Sequence, residues 1–219
     1  MRTPIALSLL ALAVTAAAAA HAGSITMTVT DRDGKPVSDA VVIVSPSVHA
    51  APKTPLPTQL RIVQEKMQFV PAVTIAPVGA HIVFANNDRW EHHIRGSAAG
   101  FAQFAAGDVG GFEMRFDGKV DGKPAPQNEV VVDKPGPVLL GCYIHSSMRG
   151  FVYVTDSPWS AKTGADGTAV FDDVPDGAAS IRVWYAEQLL DLPAQSVTVG
   201  ATPVKATAQL QVVPRRRRI

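Results

Sequence analysis

Gly141-Cys142-Tyr143-Ile144-His145-Ser146-Ser147-Met148 places a thiol, an imidazole and a thioether within seven positions, and Cys142 is the only cysteine of the 219 residues. Thiolate and thioether donors select Cu(I), imidazole serves either oxidation state, and two histidines, one cysteine and a weak axial methionine make the blue-copper set. Structural zinc sites take four Cys or His ligands, which leaves Met148 without a role. A lone buried cysteine is otherwise an inert small hydrophobe, so the neighbouring donors carry the reading. One histidine is missing from the run.

The stretch Phe84-Ala-Asn-Asn-Asp-Arg-Trp-Glu-His92-His93-Ile-Arg supplies it, because an apolar strand pattern (Ile82, Phe84) leads there into a polar corner with two adjacent histidines. Successive side chains of a strand point to opposite faces, so either His92 or His93 faces the metal. His49, in a proline-rich loop, and His81, at a strand start, have no partners in sequence and read as structural.

With these residues in view, Ile62 to Thr155 resembles a cupredoxin. Gln64-Glu-Lys-Met-Gln-Phe69-Val-Pro71, Val78-Gly79 and Phe84-Ala-Asn-Asn are similar to that fold's first strands, and Lys134-Pro-Gly-Pro-Val-Leu-Leu-Gly-Cys142 to the strand that delivers its cysteine. The ligand loop has the short amicyanin spacing, tighter than that of plastocyanin, and its pairing with a His-His corner resembles plastocyanin-like proteins labelled methylamine utilisation proteins. The resemblance implies a Greek-key β-sandwich holding one copper, Cu⁺ or Cu²⁺, on His92, Cys142, His145 and Met148. Aligning Trp90-Glu91-His92-His93-Ile94 on the family's aromatic-Pro-His-Asn-Val pattern favours His92, with His93 the alternative. Two departures stand out: His93 where the family carries Asn or a small polar residue, and a Gly- and Phe-rich stretch from Gly96 to Asn128 in which strands are hard to assign.

The N-terminus reads as an export leader over 1–22. Met1-Arg2 starts it, Pro4 to Ala20 is apolar, and Ala20-His21-Ala22 is a small-x-small cleavage site that places the mature start near Gly23. Periplasmic localisation follows, with an uncleaved anchor as the alternative. No other stretch approaches the roughly 18 apolar residues that span a bilayer. A formal net charge of +1 offers nothing to nucleic acid. The basic tail at 214–219, with Arg215 to Arg218, reads as solvated.

Elsewhere the chain reads as β. Ile25-Thr-Met-Thr-Val-Thr, Phe151-Val-Tyr-Val-Thr and Ser180-Ile-Arg-Val-Trp-Tyr alternate, and Asp33-Gly34, Pro135-Gly136, Asp166-Gly167 and Asp176-Gly177 mark turns. Val29-Thr-Asp-Arg-Asp-Gly34-Lys-Pro36 through Ala40-Val-Val-Ile-Val resembles the opening of a transthyretin-like, carboxypeptidase-regulatory sandwich. Thr163 to Gly177 and Ile181-Arg-Val-Trp184 resemble its later strands. The expected organisation is therefore all-β: a copper domain at 58–156 inserted in a second small sandwich made of 23–50 and 160–213, with crossings at Pro46 to Pro57 and Thr155 to Lys162.

The expected function is single-electron transfer between redox partners, with no substrate transformed and a transient protein partner docking near His145, which Tyr143, Ile144 and Phe151 flank. A copper chaperone would use the same ligands, and a structural sandwich needs none. An oxidase would need further histidine clusters, which the remaining His49 and His81 do not supply.

Overall fold

A computed structural model of the chain describes residues 22–100 and 111–213, and among these there are strands and turns but no α-helix. Sixteen strands, β1 (Ala22–Thr30), β2 (Val41–Pro46), β3 (Gln59–Glu65), β4 (Gln68–Val70), β5 (Val73–Pro77), β6 (Ala80–Asn86), β7 (His92–Ala98), β8 (Phe112–Phe116), β9 (Gln127–Val132), β10 (Gly136–Cys142), β11 (Arg149–Thr155), β12 (Trp159–Lys162), β13 (Thr168–Pro175), β14 (Gly177–Trp184), β15 (Gln195–Val199) and β16 (Val204–Gln209), form four sheets. The all-β class expected from the alternation is the class adopted. The expected leader, apart from Ala22, and the basic tail lie outside the described residues.

Strands from the two ends of the chain share sheets. β1 sits between β13 and β16, antiparallel to the first and parallel to the second, in the order β13-β1-β16. The facing sheet runs β12-β2-β14-β15. Ile25, Met27 and Val29 of β1 are fully buried at every second position, against Val42, Val44, Phe171, Ile181 and Leu210. Thr163 ties the ends together with one hydroxyl: it donates to the Val37 carbonyl at 2.7 Å and accepts from the Ala40 amide at 3.0 Å. Gly167 has φ +75°, and a Cβ there would lie 2.6 Å from the Val29 carbonyl oxygen, so this turn requires glycine.

The middle of the chain builds a second sandwich, with sheets β5-β11-β10-β7-β8 and β4-β3-β6-β9 closing on a core that contains Ile62, Phe69, Phe84, Ile94, Leu140 and Met148. Between the end of β7 and the start of β9, the difficult stretch holds one short strand among the described residues, β8, whose Phe116 pairs with His92. The crossing expected over Thr155 to Lys162 is shorter than that: Trp159–Lys162 is β12, paired with β2, so only 156–158 connect the sandwiches. Continuous apolarity in Val41-Val-Ile-Val44 has a physical reason. Val42 and Val44 enter the outer core, whereas Val41 and Ile43 pack with Val73, Tyr153 and Trp184 between the two sandwiches. Phe151, expected beside His145, instead meets Trp184, with ring centroids 5.6 Å apart.

Candidate metal centre

The C-terminal ends of β3, β6, β8 and β10 meet the N-terminal ends of β4, β7, β9 and β11 at one end of the inner sandwich. His92 is the first residue of β7 and Cys142 the last of β10, where it pairs with Ile94. The Tyr143 amide donates to the His93 carbonyl at 2.9 Å and the Met148 amide to the His145 carbonyl at 2.9 Å, so the ligand loop is pinned to β7 and closed on itself.

These elements bring His92, Cys142 and His145 together. Cys142 Sγ lies 3.9 Å from His92 Nδ1 and 3.7 Å from His145 Nδ1, and the two Nδ1 atoms are 3.1 Å apart. His92 is fully buried, Cys142 is buried and His145 half-buried. The two rings meet edge to face at 4.8 Å. Met148 is 1% exposed and belongs to the same apolar cluster as Cys142.

The triangle fits a metal ion. A point in its plane lies about 2.1 Å from all three donor atoms, within the roughly 2.0–2.3 Å at which imidazole nitrogen and thiolate sulfur bind a first-row ion such as zinc. Two imidazole nitrogens and a thiol sulfur at these separations make a His₂Cys donor set of the kind that suits copper.

His93 lies outside the cluster. Its Nε2 pairs with Glu113, and its ring packs on Tyr143 at 4.8 Å, on the face opposite His92. His93→Asn is expected to leave metal affinity unchanged within about twofold, while His92→Ala removes tight binding, as removal of a buried donor requires. Copper titration against a competing chelator measures both. His81 bonds Glu129 at 2.7 Å and is also away from the cluster.

Asp88 and Asn86 escaped the sequence reading, because neither stands next to a donor in the chain. The buried Asp88 carboxylate receives His92 Nε2 at 3.0 Å, the Lys66 amide at 2.6 Å and the Met67 amide at 2.8 Å. Asn86 in turn accepts the Asp88 amide at 2.9 Å and donates to the carbonyls of Trp90 (2.7 Å) and Asp117 (2.9 Å). With its Nε2 proton committed to Asp88, His92 directs the Nδ1 lone pair at the cluster. Burial holds the His92 pKa below its ordinary value, against the opposing effect of its hydrogen bond to Asp88 and with help from the neighbouring His145, so the ring stays neutral at neutral pH and open to a metal.

Lys66 and Met67 form the two-residue turn between β3 and β4 at φ 52° and 57°, a left-handed pair usually filled by Asn-Gly. Asp88 anchors both strained amides and the histidine with one carboxylate. Asp88→Ala is expected to lower metal affinity about 10- to 100-fold, the usual cost of losing a carboxylate behind a ligating histidine, and to lower thermal stability as well. Competition titration and a thermal melt of the same variant report the two effects.

No protein-family model matches the chain, and no curated protein matches it. Solved structures do. A copper-containing nitrite reductase from Thermus scotoductus SA-01 is 22% identical, over 51% of this chain and 25% of that one, with a TM-score of 0.35, so the chain spans about a quarter of that enzyme's length. Amicyanin from Paracoccus versutus is 17% identical over 51% of this chain and 97% of its own, with a TM-score of 0.32. A purple cupredoxin from Nitrosopumilus maritimus is 19% identical over 44% of this chain and 99% of its own, with a TM-score of 0.30.

Proposed function

We propose that the chain is an exported mononuclear blue-copper protein that passes single electrons between redox partners, with one copper per chain. The observation that carries this reading is the close approach of Cys142 Sγ, His92 Nδ1 and His145 Nδ1. When bound there, copper supplies a one-electron couple. His92, His145 and Cys142 would hold it, and Met148 would contribute a weak thioether contact. The sandwich keeps water from His92 and Cys142, and Asp88 fixes the ring of His92, so the donors need not rearrange between oxidation states.

Electrons leave through His145, the half-buried member of the set. Exposed Tyr143 and Ile144 lie beside it in the ligand loop, and exposed Met67 and Trp90 project from other loops at the same end. This apolar surface suits a small, transient docking patch for a redox protein. The leader expected over 1–22 places the exchange in the periplasm, and among the described residues no helix is long and apolar enough to cross a membrane. The residues at the two chain ends form the second, transthyretin-like sandwich, which holds the copper domain between its strands.

Voltammetry of the copper-loaded protein tests the reading: a reversible one-electron wave that survives repeated cycling is expected. Loss of copper to a mild chelator in every reduced cycle would instead mark a chaperone.

A further inference from the structure

Gln64 is fully buried, yet neither Oε1 nor Nε2 of its carboxamide has a hydrogen-bond partner among the described residues. A side chain with two donors and two acceptors costs stability when it is buried without partners. The other buried polar groups at this end, Asn86, Asp88 and His92, all have partners.

Its location gives the amide something to meet. Gln64 shares the inward face of β3 with the core residue Ile62, two positions earlier, while Glu65 beside it is exposed. It pairs in register with Phe69 of β4 and Asn86 of β6, and its carbonyl accepts the Asn87 amide at 2.8 Å. Phe69 presses on the start of β11: a Cβ on Gly150 would stand 2.8 Å from the Phe69 Cβ, and Gly150 is two residues from Met148. Gln64 also directly precedes Glu65 and the Lys66-Met67 turn that Asp88 joins to His92. Its side chain therefore enters the sandwich at the end that holds Cys142 and Met148.

We propose that Gln64 sets the reduction potential of the copper centre, its carboxamide oxygen being turned toward the bound ion. The inference rests on the copper reading above. A bound cation is the largest charge in such a site, and an oxygen dipole directed at it favours Cu²⁺ over Cu⁺ and lowers the potential. The carboxamide oxygen left unpartnered by the fold is then satisfied by the loaded centre.

Gln64→Leu and Gln64→Met test this in the full chain, the second keeping side-chain length without oxygen. Both variants are expected to melt at a higher temperature than wild type without metal, because an unpartnered polar group is gone. With copper they are expected to show a raised reduction potential, an altered visible and EPR spectrum, and Cu²⁺ affinity about tenfold weaker with Cu⁺ affinity little changed. Spectrum, potential and affinity ratio all equal to wild type would overturn the proposal and mark Gln64 as an amide satisfied by internal water. So would a metal-free melting point below that of wild type in both variants, because a group without partners does not hold the fold together. A wild type that takes up no copper overturns this inference together with the copper reading, whereas a blue wild type with unresponsive variants overturns this inference alone.

Discussion

Replacing Cys142 by serine is expected to abolish the colour of the copper-loaded protein while both sandwiches stay folded. The side chain is buried at the end of β10, 3.7 and 3.9 Å from the two Nδ1 atoms, and a hydroxyl fills nearly the same space but does not ionise to a ligand at neutral pH. On the copper reading proposed above, the colour would come from charge transfer between thiolate and Cu²⁺, so its loss is expected to be complete rather than graded. Absorption spectra of wild type and variant at equal copper, with circular dichroism melts as the control for folding, give the comparison. Retention of the band in the serine variant would mean that the chromophore does not include Cys142.

Deleting β1 is expected to have a large structural effect. β1 is the central strand of its sheet, and without it β13 and β16 have no partner between them. Ile25, Met27 and Val29 are all fully exposed to the core and none to solvent, and shortening a single buried side chain of this size to alanine costs about 2–5 kcal/mol. The outer sandwich is therefore expected to unfold across residues 163–213, far from the deletion in sequence. The inner sandwich has its own core and all three clustered donors, so copper binding should persist. Hydrogen exchange of the deletion variant reads the two sandwiches separately. Protection retained over 163–213 would show that the C-terminal strands form a unit without β1.

Cys142 and His145, which the fold brings together with His92, were legible because they belong to a run of rare chemistry: one cysteine, with a histidine and a methionine at short spacing. The alternation of β1 was equally plain, since one face is buried and the other is not. β12 was hidden because Trp159-Ser-Ala-Lys162 is too short to show a period, and its pairing with β2 is set by strands more than a hundred residues away. The choice between His92 and His93 depended on which face of β7 turns inward, which register with β8 and β10 decides. Asp88 was invisible for another reason. Its link to His92 passes through the fold of a loop, and its link to Lys66 and Met67 crosses from one sheet edge to another hairpin. Gln64 sits at a position where alternation predicts an apolar residue, and only full burial without partners marks it as unusual.

The most direct test of the copper centre is titration of the metal-free wild-type protein with Cu²⁺, followed by absorption and EPR. An intense visible band should grow linearly to one copper per chain, stop there, and bleach on addition of a one-electron reductant. Copper taken up without that band, or a band that saturates at another stoichiometry, would contradict a centre built on His92, Cys142 and His145.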